Sequence, residues 1–97
     1  MTYTVVIANS VRQRIATWKL PRETLLATYD RLLTVLPADP DKHLTEKIVP
    51  YADRWAYSFV LKDHTGMPHR ITFAVIRDGT QLKVIGGTHI AWGPDVN

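Results

Sequence analysis

Arg54, Lys62, Arg70, Lys83 and His89 are the residues whose types and spacing could do chemistry in this chain. Each lies in or beside an apolar stretch that alternates with a period of two, and Arg54 with Lys62, like Lys83 with His89, are separated by even intervals. In a strand, even intervals put side chains on one face. Three such strands side by side would gather these groups on one surface, and a surface that gathers cations holds a polyanion through its phosphates.

Other chemistries are excluded by what is missing. The four histidines, His43, His64, His69 and His89, lack metal-site spacing such as a pair four apart on a helix, and there is no cysteine to supply thiolate ligands, disulfides or a nucleophile. No metal and no cofactor is therefore expected. Ser10 and Ser58 stand in no nucleophile motif, and Gly66, Gly79, Gly86, Gly87 and Gly93 form no phosphate loop. Gly86-Gly87 in a strand pattern reads as a bulge, or as room for another backbone to approach.

The chain of 97 residues with 45% hydrophobic content reads as one domain over 1–97. A net charge of +3 permits nucleic-acid binding without requiring it. The opening MTYTVVIANS lacks the pattern of a secretory leader, and no apolar run is long enough to span a bilayer, so a cytoplasmic location without membrane attachment is expected.

The elements that must position the basic groups follow from periodicity. Tyr3–Ala8 is β-branched and aromatic and runs into Ser10, a candidate cap for a helix beginning at Val11, whose apolar face is Val11, Ile15 and Trp18. Pro21 opens a second helix, with Leu20 as the hinge, and Leu25, Leu26, Tyr29, Leu32, Leu33 and Leu36 form its stripe. PADPDKH reads as a loop, and LTEKIVP fits either a helical turn or a ragged strand edge. Trp55, Tyr57, Phe59 and Leu61 alternate as one face of a strand from Arg54, and Ile71–Ile76 and Leu82–Ile85 give two more. The expected fold is α+β, ordered β-α-α-β-β-β.

Asp78-Gly79 between β-rich segments predicts a two-residue hairpin turn with positive φ. Its register sets Val75 opposite Leu82, Phe73 opposite Val84 and Ile71 opposite Gly86, an apolar face for the helices. The other face then carries Arg70, Lys83 and His89, joined by Arg54 and Lys62. A sheet covered by helices on one side needs polar groups on the other in any case. This set, however, has no carboxylate, where selection for solubility would mix the signs.

The opening YTVVIANSVRQRI, the helical hairpin with its leucine stripe, and HRITFAVIRDGTQLKVIGGTHI together resemble the RelE/ParE toxin superfamily of type II toxin-antitoxin systems. The resemblance covers most of the chain in element order, on short and loose motifs. It implies a helical hairpin packed on one face of a curved, mainly antiparallel four-stranded sheet.

The resemblance also implies a ribosome-dependent endoribonuclease acting on messenger RNA, with the RNA's own 2′-hydroxyl as nucleophile and no metal. Carried over by position, Arg70 would stabilise charge growing on the phosphate and His89 would move a proton. Arg54, Lys62 and Lys83 would bind RNA, Lys47 would join them if LTEK folds over the sheet edge, and Trp92 offers a ring for a base or a cap for the core edge. Two departures stand out: Ala56 and Ser58 fall where many relatives carry a basic pair, and no tyrosine follows His89. Partners would be a cognate antitoxin, the ribosome and messenger RNA, and the chain could form a homo-oligomer or a hetero-oligomer with the antitoxin. The alternatives are a ParE-like toxin acting on another target such as DNA gyrase without RNA cleavage, and a non-catalytic binding module of the same fold.

Overall fold

The computed structural model describes residues 2–91. Strand β1 (Thr4–Ile7) leads into helix α1 (Asn9–Thr17), and Trp18 to Pro21 link it to α2 (Arg22–Asp30). The second helix continues through a wider π-type turn (Arg31–Val35) into α3 (Leu36–Ala38) and then α4 (Pro40–His43). Strands β2 (Glu46–Lys47), β3 (Arg54–Lys62), β4 (Pro68–Asp78) and β5 (Gln81–Ala91) follow. The class is α+β, as expected.

The sheet corrects the expected topology. It has five strands in the order β1-β5-β4-β3-β2, with β1 parallel to β5 and the other pairs antiparallel. The added strand comes from LTEKIVP: Leu44 is buried, Tyr51 N–H donates to the Ile48 carbonyl, and Ile48 N–H donates to the Arg54 carbonyl. That bend lays Glu46 and Lys47 against Ala56 and Trp55 as an edge. PADPDKH is helical turns rather than a loop: Pro37 falls directly after the π-type turn, Pro40 occupies a first-turn position where the missing N–H costs nothing, and the Asp39 side chain accepts from Lys42 N–H. Helix α1 starts before Ser10, with Ala8 at the cap position and no side-chain cap bond, so Ser10 does not cap it.

The core lies between one sheet face and the helices. Val11 and Ile15 of α1, and Leu32 and Leu36 from the second helix and its continuation, close over Tyr57, Ile71, Phe73, Val75, Leu82 and Val84. Thr24 and Thr28 continue the line of Leu32 and Leu36 into the core, whereas Leu26 and Leu33 are exposed and Leu25 and Tyr29 flank it. Positions four apart drift by about 40° per step on a helix of 3.6 residues per turn. The π-type turn, in which Leu36 N–H donates to the Arg31 carbonyl five residues back, takes that drift back and keeps Leu36 on the buried side. Thr28 is tolerated there because its hydroxyl donates to the Thr24 carbonyl at 2.8 Å.

The hairpin differs from its expected form in two ways. Asp78 pairs with Gln81, so Gly79, at φ +59°, and Thr80 form the turn. Val75 therefore meets Val84 rather than Leu82, a shift of two that leaves every residue on its expected face. Further along, Ala74 meets Gly86 and Val75 meets Val84, which leaves Ile85 as an unpaired bulge residue. A shift of one reverses parity. From Gly86 onward the faces of β5 are exchanged relative to the sequence expectation.

Candidate nucleic-acid interface

The sheet face turned away from the core is built of cross-strand rows. Val60, Arg70 and Ile90 form one; Ser58, Thr72 and Thr88 the next; Ala56, Ala74 and Gly86 a third; Arg54, Ile76 and Lys83 a fourth. Ser58 Oγ and Thr72 Oγ1 are 2.9 Å apart and share a hydrogen bond. From Arg70 to Ile76 the rows extend about 20 Å at 3.4 Å per residue. The middle of the face is thus hydroxyl-bearing and narrow, with guanidinium groups near both ends.

A trough of about 380 Å³ runs over the β4 and β5 members of the hydroxyl and small-residue rows, Thr72, Thr88, Ala74 and Gly86. Ile48, beyond β2, walls it on one side, and Ser10 and Arg14 of α1 wall it on the other. Gly86 supplies depth, since a Cβ there would stand 3.6 Å from the Ala74 Cβ, above the floor. Arg14 lies off the Val11, Ile15 and Trp18 face of α1, and nothing in its spacing marks it as part of a site. Its approach to the trough depends on α1 lying beside the half of β5 beyond Val84, past the last residue that β1 pairs. The hydroxyl row was within reach of the sequence, since Ser58 and Thr72 share the parity of Arg54 and Arg70.

Arg54 lies at the far end of the face with its guanidinium carbon 3.9 Å from the centre of the Tyr51 ring. Its Nε is buried and unbonded among the described residues. Tyr51 remains 46% exposed, so the cation and one aromatic ring form a joint platform at that end of the face. Lys62 is exposed on the same face, as is Arg70.

The remaining expected members are elsewhere or neutralised. Lys83 is on this face, but its Nζ is 3.1 Å from Asp78 Oδ2, so the face carries a carboxylate that the sequence reading left out. Lys47 pairs with Trp55, points to the helix side, and holds its ammonium 5.2 Å from the Trp55 ring centre. Trp92 lies outside the described residues.

His89 is on the helix side. The bulge at Ile85 pairs it with Ile71, its ring stacks on Trp18 at 5.4 Å, and the His69 ring lies edge to edge with it, the centroids 5.2 Å apart. Arg70 pairs with Ile90 and leaves the sheet on the opposite face. The expected convergence of Arg70 with His89 is not present.

Among the described residues no group of three or more His, Asp or Glu side chains is arranged to hold a metal ion. Among the same residues no helix is long and apolar enough to cross a membrane.

No protein-family model, curated protein or solved structure matches this chain. The function must be argued from the site itself.

Proposed function

We propose that this chain is a toxin-type domain of the RelE/ParE kind that holds single-stranded RNA on its outer sheet face and blocks translation by occupying the message rather than by cutting it with Arg70 and His89. The observation that carries this reading is the Ser58–Thr72–Thr88 hydroxyl row lying between Arg70 and Lys62 at one end and Arg54 at the other, with Arg14 alongside. Hydroxyls and guanidinium groups are the donors that contact phosphate and sugar oxygens. The Tyr51–Arg54 platform adds a stacking surface for a base, which single strands expose and duplexes do not.

Cleavage by the expected pair needs phosphate stabiliser and proton carrier on one side of the RNA, and the sheet separates them. Binding needs no such convergence. In the toxin setting a cognate antitoxin would relieve the arrest, and the ribosome is where the message would be met.

Expression in a bacterial host tests the proposal. Translation should fall while messenger RNA stays intact, and Arg54→Ala with Arg70→Ala should restore growth while the protein remains folded. Messenger fragments that disappear in the Arg70→Ala variant would overturn the non-cleaving part. DNA-damage signalling with translation untouched would replace RNA by a gyrase-like target.

A further inference from the structure

Asp63, just beyond β3, holds a carboxylate that is only 6% exposed. Its Oδ1 accepts from the Thr65 and Met67 backbone N–H groups and from the Thr65 hydroxyl, and its Oδ2 lies 2.8 Å from His69 Nε2. The bond to His69, then those to Thr65 and Met67, hold the carboxyl well below the ordinary carboxylate range. An ionised carboxylate only accepts, so His69 Nε2 carries the hydrogen.

A neutral imidazole has one N–H, which leaves His69 Nδ1 as an acceptor. That atom is 2.9 Å from His89 Nε2, so His89 must donate from Nε2 and its Nδ1 is left with a lone pair. The described residues offer Nδ1 no hydrogen-bond partner, and it is not among their buried unbonded atoms. Asp63 therefore dictates the tautomer of a histidine it does not touch.

We propose that Asp63, His69 and His89 form a proton relay whose reactive end is His89 Nδ1, a general base for substrates that give up a hydroxyl proton, on the sheet face opposite the RNA trough. Proton uptake needs no rearrangement. When Nδ1 accepts a proton from the hydroxyl, the proton on Nε2 passes to His69 Nδ1, and the positive charge rests on His69 beside the ionised Asp63. Both hydrogen bonds survive with the middle one reversed, and the same chain run backwards delivers a proton. His89 would be the catalytic residue, with His69 and Asp63 as positioning residues.

The surroundings suit a base. Trp18, from the α1–α2 link, covers one side of the His89 ring with an apolar surface, and the charged or titratable groups that face it are His69 from β4 and, behind it, Asp63. The neighbouring Glu23 of α2 is engaged by His64 at 2.7 Å. Burial, and then the positive charge that His69 can carry, lower the proton affinity of His89 and keep it unprotonated near neutral pH.

Nitrogen-15 NMR of the full chain at pH 8 reads the tautomers directly. Wild type should carry hydrogen on Nε2 of both His69 and His89. In Asp63→Asn the new amide N–H donates to His69, which should move both hydrogens to Nδ1 and cap the base. Base strength is read by hydrolysis of p-nitrophenyl acetate: water adds to the ester carbonyl, His89 takes the water proton, and nitrophenolate leaves. Wild type should exceed His89→Gln by about tenfold or more, with a rate that rises through the His89 titration and then levels. Asp63→Asn should fall to the His89→Gln rate. Hydrogen on Nδ1 of His89 in the wild type, or equal rates in wild type and His89→Gln, would overturn the relay whether or not Asp63→Asn folds.

Discussion

Arg70 and His89 lie one residue out of step across the β4–β5 ladder: Arg70 is opposite Ile90 and His89 is opposite Ile71, so their side chains leave the sheet on opposite faces. The single unpaired residue Ile85 causes this. One bulge divides the basic groups of the hairpin between two surfaces with different chemistry, guanidinium and hydroxyl donors on one and a histidine chain on the other.

The two glycines after the bulge should respond differently to the same change. A Cβ on Gly87 would stand 3.0 Å from the Phe73 ring and 3.3 Å from Trp18, both held in or against the core. Gly87→Ala should lose about 1–3 kcal/mol of stability by overpacking. Gly86→Ala meets only the Ala74 Cβ at 3.6 Å and should leave stability within about 0.5 kcal/mol of wild type in urea denaturation.

The buried line of the second helix predicts opposite signs at neighbouring turns. Thr24 Oγ1 is buried without a partner among the described residues, so Thr24→Val should stabilise the fold, by about 1 kcal/mol, on the desolvation cost of an unmade hydrogen bond. Leu32 is fully buried, and Leu32→Ala should cost about 2–5 kcal/mol by transfer and cavity formation. Urea midpoints of the two variants decide both.

The strands with strict alternation were legible in the sequence. Trp55, Tyr57, Phe59 and Leu61 announced β3 within its observed bounds, and Ile71, Phe73 and Val75 gave the core side of β4. Before the bulge the faces survived an error of two in the pairing, because parity repeats every second residue. At Ile85 they did not, although Gly86-Gly87 marked the place. Nothing in local propensity says whether a glycine pair shifts register or only bends a strand.

Longer-range features were hidden for another reason. Thr24 and Thr28 read as polar but lie on the buried side of α2 ahead of Leu32, and the π-type turn that follows keeps Leu36 on that side. In the chain from Asp63 to His89 the first link is local, across the β3–β4 connection, but the His69–His89 link spans twenty residues and is made by the β4–β5 pairing, so no local spacing could announce it.

Stability should fall on mild acidification. The proton affinity of His89 is lowered in the fold by burial and then by His69, so between its folded value and the unfolded imidazole value near 6.5 the unfolded chain binds more protons. The contribution is fully present above about pH 6.5 and is lost as pH falls through the folded value. Asp63, lowered chiefly by its bond from His69, adds a second loss as pH falls below the ordinary carboxylate range, about pH 4. Thermal melting from pH 8 to pH 3 should show both steps, and His89→Gln should remove the first.

The most direct test of the outer-face account is the salt dependence of binding to a single-stranded RNA oligonucleotide. Affinity should fall with rising salt, with a slope of about 0.7 on the double-logarithmic plot for each phosphate neutralised. Arg54→Ala with Arg70→Ala should lower that slope by about 1.4, while Lys47→Ala, whose ammonium sits over Trp55 on the other side, leaves it unchanged. An affinity indifferent to salt, or a slope unmoved by loss of both arginines, would contradict the account.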